Sequence, residues 1–222
     1  TQSMPLPAGF SWRSLASEPL KLDVLVRSTC AMRKAIPWSF AGVAMTTSRA
    51  PTPDSPHMAK LPPPPLKFLL HHPAHFIACG MGSGLSRWAP GTAGTAFAWA
   101  TYPLLRMYLG SDLGFAIFLL LGFAVGVAAC QITGRALGVV DHGAIVWDEI
   151  VPFWGVLMLA PQELLWQLAA FLWFRFYDIV KPQPAKFFDT QVKNGFGVMM
   201  DDVIAAGYTV LTIAIFKAFL PF

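Results

Sequence analysis

The chain has 222 residues, 55% of them hydrophobic and 13% charged, where a soluble domain carries about 25% charged residues. With a positive mean hydropathy, this composition excludes an ordinary soluble globule and reads as an integral membrane protein, and the eight Trp residues suit bilayer interfaces. The net charge of +4 lies entirely in the first sixty residues, because nine basic and nine acidic residues cancel from Leu61 onward. The core therefore lacks the clustered basic face of a nucleic-acid binder, and no nucleic-acid partner is expected.

Residues 1–60 are rich in Ser, Thr, Pro and Ala and show no sustained helical period. Pro62 to Pro65 then forms a stiff extended spacer. The expectation is a poorly ordered extension and spacer over residues 1–65 and one folded domain over residues 66–222. The chain opens on Thr1 and not on Met, so the natural start is expected at Met45 or Met58. A basic targeting peptide is the rival reading, since Arg27 to Arg49 is acid-poor. Cys30, Cys79 and Cys130 are scattered, odd in number and without CxxC spacing, so they read as small apolar residues.

Leu66 to Phe76 opens the folded part with His71, His72 and His75. A metal reading needs two of them on one helix face, but Pro73 breaks the local helix; a polar interfacial segment is preferred. Gly80 to Thr95 (GMGSGLSRWAPGTAGT) follows. Its glycines predict a loop of exposed backbone N–H groups leading into a helix, able to hold an anion with Arg87 adding a fork of donors. Glycine-rich turns also serve only to let helices pack closely. The pattern is not a Walker loop, which ends in Gly-Lys-Ser/Thr.

Ala93 to Leu109 is a candidate first span, and Leu113 to Cys130 is the clearest transmembrane helix. Gly114, Gly122 and Gly126 give the latter a small face for a neighbouring helix. Asp141-His142-Gly143 reads as a turn, and Asp148-Glu149 leads into an apolar run too short to span. An acid pair there also fits a helix N-terminus. Glu163 to Tyr177 is a further apolar helix. Arg175, Asp178 and Lys181 fall three apart, on one helical face, until Pro182 and Pro184 stop the helix. Ala185 to Val192 is a short amphipathic segment, Asn194 to Gly197 a turn, and Asp201-Asp202 opens the last apolar segment, Val203 to Leu220, as caps or as a functional pair.

About six carboxylates, several cations and a Gly-rich patch thus stand at the ends of apolar segments. Carboxylates suit Mg²⁺, a hard ion; cations and amides suit phosphate. Together they point to phosphoryl chemistry at a membrane surface. No DxDx[TV] nucleophile motif is present, Cys79 and Arg87 are too far apart for a Cys-dependent phosphate loop, and no Lys-Arg-Pro block with a downstream His pair occurs.

Four ordered blocks carry a resemblance over roughly residues 66–222: GSGLSxxAPGTxGT (Gly82 to Thr95), DHGxIVWDE (Asp141 to Glu149), FRxxDxxKPxP (Phe174 to Pro184) and GxGxMxDD (Gly195 to Asp202). They resemble phosphatidylglycerophosphatase A, a membrane lipid phosphatase family. The resemblance implies an all-α integral membrane helical bundle with short or re-entrant helices. It also implies Mg²⁺-dependent removal of the terminal phosphate of phosphatidylglycerophosphate, giving phosphatidylglycerol, at the cytoplasmic face of the bacterial inner membrane. Pro152 stands where the family usually has Gly, and the family lacks the extension at residues 1–60.

On that reading Asp148, Glu149, Asp201 and Asp202 are the expected Mg²⁺ ligands, directly or through water. Asp178 is a further ligand or the general base, with an aspartyl-phosphate intermediate left open. Arg175, Lys181 and Arg87, with the backbone around Gly91, Thr92, Gly94 and Thr95, are expected to hold the phosphate. His142 is read as structural in its turn before proton donor. The rival from another class is an ion or proton transporter, since membrane carboxylates also mark ion paths; here they cluster at segment ends. A CDP-alcohol phosphotransferase would need a DGxxAR signature, which is missing. The oligomeric state is not legible.

Overall fold

The computed structural model describes residues 61–219; the extension and start site expected over residues 1–60 lie outside them. Described residues form α1 (Leu66–His71), α2 (Pro73–Ala78), a 3-10 turn (Gly80–Leu85), α3 (Pro90–Leu109), α4 (Asp112–Leu137), α5 (Trp147–Leu159), α6 (Leu164–Val180), α7 (Ala185–Gln191) and α8 (Gly195–Phe219). No strand occurs among them, so the all-α expectation holds.

Local chemistry sets the boundaries. Pro73 ends α1 and opens α2 from its first position, where a missing N–H costs nothing. The His72 Nδ1 accepts the Ala74 N–H at 3.1 Å and caps α2. His75 is buried against Thr133 (3.0 Å) and stacks on Phe68. Both rings therefore have structural roles. Ser111 caps α4 through the Gly114 N–H, and Gly138, at φ 73°, ends it in the left-handed conformation that glycine favours.

Two helices, α4 and α8, are long and apolar enough to cross a bilayer. Their 26 and 25 residues give about 39 and 37 Å at 1.5 Å per residue, more than the roughly 30 Å hydrocarbon core. Only 22% of the most apolar stretch of α4 is buried; Leu113, Ile117, Leu120 and Leu121 face outward. A core helix of a soluble protein would bury them. The span expected over Ala93–Leu109 forms the 20-residue α3, which is long but falls short of the apolarity of the other two.

The 13-residue α5 is too short to cross and is buried on nearly every side. It packs against α3, α4 and α8, and α8 in turn packs against α4, α6 and α7. The predicted small face of α4 makes this possible. A Cβ on Gly126 would lie 2.7 Å from both Met199 Sδ and Trp147 Cδ1. The Gly122 carbonyl accepts the Trp147 indole N–H at 3.0 Å. Gly114, at the start of α4, meets only nearby chain. Pro152 sits inside α5 without breaking it; lacking an N–H, it leaves the Asp148 carbonyl without its usual helical donor.

Candidate active site

The first turn of α5 is pinned by the Val146 N–H donating to the Ala78 carbonyl at 2.9 Å. This turn carries Asp148 and Glu149 into the protein, at 6% and 8% exposure. The Glu149 Oε2 accepts the Thr95 hydroxyl at 3.0 Å and Arg175 Nη1 at 2.5 Å. Arg175 also pairs with Asp178 at 2.8 Å, one helical turn on. Gly91, in the first turn of α3, lies against this group: a Cβ there would overlap Glu149 Oε1 and stand 2.9 Å from Arg175 Nη1.

A second group forms around Lys181. The sequence predicts Arg175, Asp178 and Lys181 on one face, and only the first two remain together. Lys181 precedes Pro182, which disfavours helical backbone before it, and takes a left-handed conformation (φ 46°, ψ 63°) at the end of α6. Its amine turns to Asp201 Oδ2 at 2.6 Å and Asp189 Oδ1 at 2.9 Å. Burial works against the charged amine, but the two carboxylates more than offset it and hold its pKa above the ordinary lysine value.

Asp201 and Asp202 do not cap α8. That helix starts at Gly195, with Asn194 Oδ1 accepting the Gly197 N–H at 3.0 Å, so the pair lies two turns inside at 4% and 3% exposure. Asp201 Oδ1 accepts the Asp202 N–H at 3.0 Å. Asp202 Oδ1 is buried with no hydrogen-bond partner among the described residues. Asp148 Oδ1 has the Glu149 N–H at 3.2 Å.

Six carboxylates thus gather around two cations. Burial pushes Glu149 up to about 7 although Arg175 pulls the other way. Burial, then the neighbouring Glu149 and other carboxylates, pushes Asp148 well above the usual range. Surplus buried negative charge with an orphaned oxygen on Asp202 fits a hard divalent cation. Among the described residues no three His, Cys, Asp or Glu side chains are arranged to hold a metal by themselves.

The predicted phosphate-binding residues divide. Gly91 and Thr92 lie in the first turn of α3, where backbone N–H groups have no helical acceptor. Gly94 is a packing glycine, a Cβ there coming 2.8 Å from Val146 Cβ. The Thr95 hydroxyl lies 3.0 Å from both Glu149 Oε2 and the Gly91 carbonyl. Arg87 is exposed; no ion pair joins it to the cluster among the described residues. The Gly80–Leu85 segment, predicted as an open anion loop, is a 3-10 turn packed on Ala144 and Val146. His142 accepts the Ala144 N–H at 3.1 Å within its turn, and burial lowers its pKa. The sequence reading missed Thr95 as a carboxylate donor and Asp189 as a partner of Lys181; neither contact carries a local period that could reveal it.

The profile of the phosphatidylglycerophosphatase A family matches residues 76–217. A Haemophilus influenzae protein named phosphatidylglycerophosphatase A is 47% identical over 149 residues, covering 66% of this chain and 90% of that protein. An Escherichia coli protein of the same name is 40% identical over 137 residues, 61% of this chain and 78% of that protein. A Bacteroides thetaiotaomicron protein provisionally named phosphatidylinositol-3-phosphatase is 39% identical over 146 residues, 63% of this chain and 90% of that protein. No solved structure matches the chain.

Proposed function

The chain belongs to the phosphatidylglycerophosphatase A family, and we propose that it hydrolyses the terminal phosphate of phosphatidylglycerophosphate in a Mg²⁺-dependent reaction. The product, phosphatidylglycerol, makes this a step of phospholipid synthesis. The observation that carries the reading is the excess of buried carboxylates beside Arg175, with Asp202 Oδ1 unpartnered among the described residues.

Asp148 and Asp202, which no cation among the described residues pairs with directly, would hold the metal. Glu149 and Asp201, committed to Arg175 and Lys181, would contribute through water. Bound Mg²⁺ supplies charge neutralisation at the phosphate and acidifies water. Arg175 and the Gly91 and Thr92 N–H groups bind and orient the phosphoryl oxygens. Asp178, held by Arg175 at 2.8 Å, takes a proton from the water as its oxygen bonds to phosphorus, and the glycerol oxygen leaves as the alcohol with a proton from solvent. We place the protein in the bacterial inner membrane with this cluster towards the cytoplasm. Ion transport finds no support in the comparisons, whose relatives are all named phosphatases.

The test is phosphate release by purified protein in detergent, with Mg²⁺ and with EDTA, from phosphatidylglycerophosphate and from phosphatidylinositol 3-phosphate. Mg²⁺-dependent release from the first, lost in Asp202→Asn, is the expected result. Preference for the inositol lipid would move the substrate; no release from either by folded protein would overturn the reading.

A further inference from the structure

We infer that Asp189 is a positioning residue, fixing the Lys181 amine beside Asp201 in the carboxylate cluster; this rests on the phosphatase reading above. An ammonium has three N–H donors. In Lys181 two are taken, by Asp189 from α7 and Asp201 from α8, so its direction is fixed by two separate elements and one donor remains for an anion. The Lys181 stem is long and rotatable, and its side chain is 25% exposed. With Asp201 as sole partner the amine would be free to swing about that single contact.

Asp189 is itself held in place. The Lys193 amine donates to the Asp189 carbonyl at 2.6 Å, Phe188 packs edge-on against Phe196 of α8, and the Tyr208 hydroxyl donates to the Gln183 carbonyl at 2.6 Å. These contacts strap α7 across the start of α8. The partial exposure of the Lys181 side chain leaves its amine open to small reagents from solvent.

Asp189→Ala and Asp189→Glu in the full chain test this with two readouts. The first is the rate at which an amine-reactive ester labels Lys181, read by peptide mass spectrometry against exposed Lys186 as internal standard. The second is kcat and KM for phosphate release. Asp189→Ala is expected to speed Lys181 labelling several-fold and to lower kcat about tenfold, short of the roughly hundredfold that a 1 Å misplacement of a reacting group costs, with KM little changed. Asp189→Glu should restore part of both. Unchanged labelling overturns the inference, as does faster labelling with unchanged kcat. If the wild type released no phosphate, the phosphatase reading would fail while the labelling result still reported whether Asp189 holds Lys181.

Discussion

Gly91→Ala is the sharpest probe of the site, because one methyl group is aimed at its centre. The added carbon would overlap Glu149 Oε1 and lie 2.8 Å from Glu149 Cδ and 2.9 Å from Arg175 Nη1. An ordinary flexible side chain would swing aside. Glu149 cannot, since Oε2 is bound by Thr95 and Arg175 and the residue is 8% exposed. Either α3 shifts or the Arg175–Glu149 pair opens. Disrupting a buried charge pair costs roughly 3 kcal/mol or more, and displacing Arg175 by about 1 Å would lower turnover on the order of a hundredfold. Thermal unfolding in detergent and phosphate release measure the two effects. Gly143→Ala is the control, because nothing lies within 4 Å of its new carbon, and it should stay within about 0.5 kcal/mol of wild type. Wild-type Tm and kcat in Gly91→Ala would mean that Glu149 does not rest against α3, and the arrangement around Arg175 would have to be abandoned.

Thr95→Val keeps shape but removes one of the two donors to Glu149 Oε2; a loss of about 1.5–3 kcal/mol, typical for a bond to a charged group, should appear in the melting curve, while Thr95→Ser retains most stability. Arg175→Lys keeps the charge yet cannot span Glu149 and Asp178 as the guanidinium does. Its kcat should fall at least about tenfold, and a wild-type rate would show that only charge matters there. In metal-free protein burial raises Glu149 from 4.5 to about 7 and also raises Asp148 well above its ordinary value. Between those limits the folded chain binds more protons than the unfolded one, so stability falls as pH rises. Tm in EDTA should be lower at pH 8 than at pH 5, and Mg²⁺ at pH 8 should raise it; a Tm indifferent to both would remove the metal from this cluster.

The parts of the fold legible in the sequence are those written in local pattern. The apolar run after Leu113 gives α4, the Asp148-Glu149 pair marks the start of α5, and the three-residue spacing of Arg175 and Asp178 becomes a real ion pair. Local pattern misleads where a backbone choice overrides it. Asn194-Gly195 reads as a turn and is in fact the cap of α8, which moves Asp201 and Asp202 from a helix end to its buried interior. Lys181 continues the spacing of its helix on paper, but its left-handed backbone sends the amine to α7 and α8.

What no local pattern carries is the pairing of charges. Thr95 meets Glu149 across 54 positions and Arg175 meets it across 26. Only these contacts sort the carboxylates. Each cation holds two: Arg175 takes Glu149 and Asp178, and Lys181 takes Asp189 and Asp201. Asp148 and Asp202 are left over, both buried and neither ion-paired among the described residues. A buried carboxylate without a counter-charge either takes up a proton or acquires a cation. The two residues that share this predicament come from α5 and α8, the helices at the centre of the packing. The same close approach that Gly126 permits therefore brings two unneutralised carboxylates into one buried cluster, which is where the sequence of small residues on α4 and the chemistry of the acids become a single argument.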